Sequence, residues 1–251
     1  MRRLADRFAD QAASCASLEQ LRSALKAACA QLGFDYFALL HHSSLSETDR
    51  GLVRIDNYPR EWVQELLDTG LAADDPVHLA SRRSNSGFAW TELGTIIALS
   101  RRHRSILSRS ARFGLGDGFT VPANVPGEPS GSCSFAVRPG RSLPARDLMC
   151  AELVGAHAFR AARRIQDLPR RRARPHLSPR ELQCLRLVAL GKTDFEIALI
   201  LGIGHQTARQ YVKSARAAYD VVCRSQLVVH ALFDEWVAFD ELLPEARTRR
   251  R

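Results

Sequence analysis

Residues 205–219 separate apolar from polar side chains at helical spacing. Ala208, Tyr211, Val212, Ala215 and Tyr219 form one stripe, and Gln206, Arg209, Gln210, Lys213 and Arg216 lie on the opposite face. No acidic residue interrupts that face. The chemistry open to it is nucleic-acid recognition. Guanidinium and carboxamide groups match the edges of guanine and adenine, while Lys and outlying Arg match phosphates. An ordinary helical subdomain with a solvated basic face has the same pattern, and periodicity does not separate the two.

The elements that would position such a face precede it. Ser178-Pro179-Arg180-Glu181 reads as a capping box with proline at the first helical position. Leu182, Leu185, Val188 and Ala189 recur behind it, and Gly191 closes that helix. Thr193-Asp194-Phe195-Glu196 is a second capping box, opening a short helix expected to bury Ile197, Ala198, Ile200 and Leu201. Leu201-Gly202-Ile203-Gly204 is the turn into the basic helix. Two short helices about a glycine turn describe a helix-turn-helix. A last helix over Ser225–Phe239, bearing Leu227, Val228, Ala231, Leu232 and Trp236, makes four, with Pro244 as its stop. The tail 247–251 reads as disordered.

A chain of 251 residues has room for two modest domains, and its 45% hydrophobic content is that of a globular protein. The formal charge of +9 favours an anionic partner, nucleic acid or membrane surface. No apolar run reaches the ~18 residues of a spanning helix. Met1-Arg2-Arg3 has no apolar core behind it, so no secretory signal is expected and the reading is cytoplasmic. The six cysteines, at 15, 29, 133, 150, 184 and 223, lack paired or metal-ligand spacing and read as small apolar residues in a reducing compartment. His41 and His42 are adjacent but have no further ligand at suitable spacing, so no metal is expected. Asp75 with Glu128, or the two histidines, could be offered as acid and base. Without a nucleophile motif or a phosphate-cradling glycine loop, neither an enzyme nor a cofactor is expected.

Residues 4–32 read as helical, with Leu18, Leu21, Leu25, Ala28 and Leu32 in phase, Ser17 a candidate N-cap and Gly33 the stop. Phe34–Leu40 and Leu52–Asn57 are strand candidates around a polar loop, 41–50. Pro59 is set to start a helix with Trp62, Leu66 and Leu67 on one face, and Asp75 to cap another at Pro76. Residues 95–113 read as a basic helix ending at Gly114. Residues 116–125 and 131–137 read as a hairpin, and 145–166 as a helix with Leu148, Leu153, Val154, Ala158, Ala161 and Ile165 apolar. Residues 168–176 hold two prolines and four arginines. They form a linker that touches phosphates, or a solvated charge run. The expected division is 1–167, linker 168–176, and 177–251.

The second domain resembles the DNA-binding domain of the LuxR family, on Leu177-Ser178-Pro179-Arg180-Glu181, Gly191-Lys192-Thr193, Glu196-Ile197-Ala198, Leu201-Gly202-Ile203 and Thr207. Gly204, Ala208, Tyr211 and Ala218 depart from the family pattern, which bears on the base contacts. The first domain resembles the signal-binding domain of LuxR-type quorum-sensing receptors. The supporting residues are Gly33-Phe34, Asn57-Tyr58-Pro59, Trp62, Asp75-Pro76-Val77, Trp90, Gly114-Leu115, Gly118, Pro122 and Gly127-Glu128.

The resemblance implies an α/β/α sandwich with a central antiparallel sheet and a pocket for an N-acyl-homoserine lactone. It assigns Trp62 to the lactone carbonyl, Asp75 to the amide N–H, and Tyr58 and Ser134 to the acyl carbonyl. Trp90 becomes an apolar wall, and Ala38 and Leu40 line the acyl chain. The donor and acceptor types fit: an indole N–H only donates and an ionised carboxylate only accepts. Leu66 stands where a tyrosine is common, so a long or bulky acyl group is expected. The implied function is a ligand-responsive transcriptional regulator, a homodimer on an inverted repeat of double-stranded DNA. Arg209, Gln210 and Lys213 are expected in the groove, and Lys192, Thr207 and Arg216 on phosphates. A receptor of the same fold that senses a foreign lactone or another amphiphile, and a ligand-independent regulator, are the competing readings.

Overall fold

The computed structural model describes residues 2–42, 53–125, 128–166 and 174–242. Most of the polar loop after His41, Leu52, Gly127, most of the arginine-rich linker, Pro244 and the tail lie outside the described residues. The chain forms two compact units, 1–170 and 171–251.

The first unit runs α1 (Arg2–Ser14), α2 (Leu18–Gln31), β1 (Tyr36–His41), β2 (Arg54–Asp56), α3 (Arg60–Asp68), α4 (Pro76–Ser81), β3 (Phe88–Ala89), α5 (Leu93–Ile96), α6 (Arg101–Arg112), β4 (Gly118–Ala123), β5 (Gly131–Ala136) and α7 (Leu148–Ile165). The expected single helix over 4–32 is two helices. Ser17 adopts extended dihedrals and its hydroxyl accepts the Gln20 N–H, so α2 starts afresh there. A cap is non-helical by nature, and one inside a periodic stretch is a break. The expected helix over 95–113 divides for the same reason at Ser100, whose hydroxyl accepts the His103 N–H.

The strands form one antiparallel sheet in the order β2-β1-β5-β4-β3. Alternation gives it two unlike faces. Phe37, Leu39, Phe119, Val121, Cys133 and Phe135 pack with α1, α2 and α7 into the larger core. Gly155 of α7 lies so close that a Cβ there would meet Val121 Cγ2 at 2.9 Å. Leu153, expected on the buried side, is 49% exposed because it falls off the stripe carrying Cys150, Val154 and Ala158. The opposite sheet face carries the small or polar Ala38, Thr120, Ser132 and Ser134. A separate apolar cluster there includes Trp62, Val77, Leu93 and Ile106, contributed by α3–α6. Charged pairs fasten this layer from outside: Arg102 to Asp74 at 2.9 Å, and Arg109 of α6 to Glu65 of α3.

Strand β1 leads into two inward-facing histidines. His41 Nδ1 accepts the Val53 N–H and its ring meets Phe159 edge-on. His42 Nε2 lies 2.9 Å from Ser132 Oγ, and its ring stacks on His78 at 4.2 Å. Desolvation, aided by the charges of His78, Arg82 and His41, pushes the His42 pKa down to about 2.

The second unit comprises α8 (Pro179–Ala189), α9 (Asp194–Leu201), α10 (His205–Ala218), α11 (Arg224–Phe233) and a further short helix, α12 (Phe239–Leu242). Both capping boxes form: Glu181 accepts the Ser178 N–H at 2.8 Å and Glu196 accepts the Thr193 N–H at 2.7 Å. Ile200 is 54% exposed rather than buried. It sits half a turn from Ala198, and a helix of two turns has only one buried strip. The last helix stops at Phe233, not Phe239, because Glu235 takes φ +57° and the chain reverses. The reversal is pinned by polar contacts: Trp236 Nε1 donates to the Tyr219 hydroxyl, which donates to the buried Asp234, both at 2.8 Å.

Two stability predictions follow from these packing details. Tyr219→Phe deprives both Trp236 and Asp234 of a partner and should cost about 1–3 kcal/mol, read as a lower denaturant midpoint. His42 carries a folded-state pKa below its unfolded value of about 6.5, so its contribution is complete above that pH and is lost as pH falls toward about 2. Between pH 7 and pH 5 the loss amounts to about 2 kcal/mol, and the acid-induced drop in melting temperature should shrink in His42→Gln.

Candidate ligand pocket and nucleic-acid interface

Between the polar sheet face and α3, α4 and α6 lies a cavity of about 70 Å³. The structure brings Ala38, Leu40, Tyr58, Trp62, Leu66, Asp75, Trp90 and Ser134 together around it. Pro59 precedes α3, which puts Trp62 in its first turn, 2% exposed. Asp75 is the N-cap of α4: its Oδ1 accepts the Val77 N–H at 2.8 Å. Its Oδ2 is 3.9 Å from His78 Nε2, and the carboxylate side chain is only 13% exposed. Tyr58 is half-buried. Desolvation, then the nearby Asp75 and Asp56, raise its phenol pKa well above the ordinary value, so the hydroxyl stays a donor.

Trp90 donates its indole N–H to Thr120 Oγ1 at 2.9 Å, and Thr120 in turn lies 2.9 Å from Ser134 Oγ. The indole therefore offers the cavity its carbon surface, and Ser134 is held by a hydroxyl chain. A Cβ at Gly118 would fall 2.5 Å from the Trp90 ring, so the ring rests on a strand position that needs glycine. Together the walls present buried donor and acceptor groups inside a mostly apolar lining, suited to a small molecule with one amide-like polar end and an apolar remainder.

Sequence reasoning missed several lining residues: Arg54 and Asp56 of β2, His78 of α4, and Ile106, Leu107 and Ser110 of α6. The β2 pair could be found only from register, since Arg54 pairs with Leu40 and Asp56 with Ala38. The α6 residues carry no local signal, because their contact is tertiary. Glu128 is not among the lining residues: it accepts from Arg163 Nε at 2.6 Å, away from Asp75. The acid–base pairing of those two carboxylates is not assembled.

In the second unit, Gly202 takes the left-handed conformation that lets the chain turn from α9 into α10. Ala208, Val212, Ala215 and Tyr219 are buried and fix the helix's rotation. Gln206, Thr207, Arg209, Gln210 and Lys213 are exposed, and Arg216 is half-buried. Lys192 is half-buried before α9, its carbonyl accepting from Arg224, which also pairs with Asp194 at 2.6 Å. Gly204 caps α10 without a side chain, leaving first-turn N–H groups directed at whatever approaches that end. No helix of the described residues is long and apolar enough to cross a membrane.

Residues 17–162 match the family described as autoinducer binding domain, and residues 175–231 match the one described as bacterial regulatory proteins, luxR family. A putative HTH-type transcriptional regulator, y4qH of Sinorhizobium fredii, is 27% identical over 194 residues, 76% of this chain and 59% of that protein. The chain thus spans less than two thirds of that relative. The HTH-type quorum sensing-dependent transcriptional regulator RpaR of Rhodopseudomonas palustris is 28% identical over 214 residues, 84% of this chain and 86% of RpaR. The crystal structure of Escherichia coli SdiA shares the fold at a TM-score of 0.61, with 22% identity over 96% of this chain and 98% of that one. These families consist of transcriptional regulators, not enzymes. With an autoinducer-binding domain for a small molecule and a helix-turn-helix domain for DNA, the chain belongs to the LuxR family of quorum-sensing transcriptional regulators.

Proposed function

We propose that the small molecule is an N-acyl-homoserine lactone. The observation that carries this reading is the half-buried Asp75 carboxylate, which lines the cavity with one oxygen committed to α4 and the other 3.9 Å from His78, and with Tyr58 and Trp62 on the same walls. An amide N–H donating to Asp75, with carbonyls accepting from Trp62 and Tyr58, pairs each polar group with its complement. Ser134 adds a hydroxyl near the acyl carbonyl, Trp90 forms the wall at the ring, and Ala38, Leu40 and Leu66 flank the acyl arm. Leu66 offers bulk without a polar head, which favours long or bulky acyl groups.

Binding only the folded state stabilises the first domain by mass action, about 3 kcal/mol at a hundredfold excess over Kd. In this mechanism the ordered domain, residues 1–167, supports a homodimer. The linker 168–176 joins it to the DNA-binding domain, residues 177–251. Two α10 helices then enter major grooves of an inverted repeat about one helical turn apart, or a multiple of it. Arg209, Gln210 and Lys213 read bases, while Lys192, Thr207 and Arg216 meet phosphates. The protein acts in the cytoplasm, where it meets its promoter.

Melting the purified chain against lactones of graded acyl length tests the ligand. A rise in Tm that grows with chain length and disappears in Asp75→Ala is expected. No rise with any lactone would sink the lactone and leave the DNA-binding domain untouched. On DNA, Lys213→Ala should weaken operator binding about tenfold and alter base preference. An unchanged affinity and preference would show that α10 does not present Lys213 to the groove.

A further inference from the structure

The floor of the cavity changes character across the sheet. Under β5 it is the Ser134 hydroxyl, already paired through Thr120 of β4 to Trp90. Under β1 it is Ala38 and Leu40. Under β2 it is a pair of opposite charges, Arg54 and Asp56, both lining the cavity. Two residues apart on a strand, they share a face, while Ile55 between them joins the core on the other side. Their register partners, Leu40 and Ala38, are the residues expected along an acyl arm.

Arg54 Nε and Asp56 Oδ2 are 3.7 Å apart, beyond hydrogen-bond distance. The two charges attract without that contact saturating the guanidinium donor or the carboxylate lone pairs. Their side chains are 39% and 22% exposed, so both are partly withdrawn from water. A plain alkyl end against this pair would strip more water and return nothing. A carboxylate end would meet Asp56, and an ammonium end would meet Arg54. A hydroxyl satisfies both, accepting from Arg54 and donating to Asp56. Strand β2 is two strand spacings, roughly 10 Å, from β5 and Ser134, which places the pair at the far end of an arm whose amide sits at Asp75.

We propose that Arg54 and Asp56 select a ligand whose acyl arm carries a hydroxyl, alcohol or phenol, at its distal end. This rests on the lactone reading above and narrows it to a chemical class.

The test is calorimetric titration of the full chain with matched pairs of lactones, an alkanoyl-homoserine lactone and its ω-hydroxy counterpart of equal length. The wild type should bind the hydroxylated member about tenfold more tightly, the effect of one added hydrogen bond to a charged group. Arg54→Leu with Asp56→Leu should reverse the preference while keeping the alkyl lactone bound. Asp56→Asn preserves shape if the double variant does not fold, and should shrink the preference. Equal or weaker binding of the hydroxylated member to the wild type overturns the proposal alone, as does a preference that survives in the variants. Binding of neither member to the wild type overturns the lactone reading and this proposal together.

Discussion

A carboxylate withdrawn from water must be given donors, and the pocket is arranged around that requirement at Asp75. One oxygen accepts the Val77 N–H and so sets the start of α4. The other lies 3.9 Å from the His78 imidazole, a second residue of the cavity lining. The same negative charge, with Asp56, raises the Tyr58 pKa and keeps that phenol a donor, although burial is the larger cause. Helix geometry, pocket polarity and ligand stabilisation are therefore one coupled problem. A molecule that donates to Asp75 also stabilises the seating of α4 on β4 and β5.

What was legible in the sequence was local. Capping boxes at Ser178 and Thr193, the Asp75–Pro76 start of α4 and the glycine turn at Gly202 each depend on a few consecutive residues. The pocket residues Tyr58, Trp62, Asp75 and Trp90 were reachable through a family pattern, because no single one of them differs from a core residue by type. Ser17 was legible as an N-cap but not as a break, because helix-forming residues continue on both sides of it, and the stretch around Ser100 hid its break in the same way. The stop of α11 depends on Tyr219, whose hydroxyl links Asp234 and Trp236 from another helix. Arg54 and Asp56 carry no signal of their own until strand pairing sets them beside Leu40 and Ala38. Leu153 and Ile200 misled because an apolar residue need not be a buried one.

The helix-turn-helix unit achieves its order by different means. Its core is a small cluster about Leu185, Ile197, Ala208, Val212, Ala215 and Leu227. Reciprocal caps and the Tyr219–Asp234–Trp236 contacts supplement that modest apolar burial. The result is one helix held firmly by its inner stripe while its outer face is left with polar and basic ends in solvent.

The two layers bounding the cavity are fastened in unlike ways. The floor is a continuous ladder of backbone hydrogen bonds, sealed behind by aromatic packing and by the close approach of Gly155. The roof is tied at its outer side by Arg102–Asp74 and Arg109–Glu65, pairs with substantial solvent exposure. Exposed ion pairs are individually weak and are screened by dissolved salt, whereas the ladder is indifferent to it. Ionic strength thus acts on the cavity unevenly: it sets how readily the roof helices part from each other and reaches the floor only at its Arg54–Asp56 edge, leaving the backbone ladder they close upon unchanged.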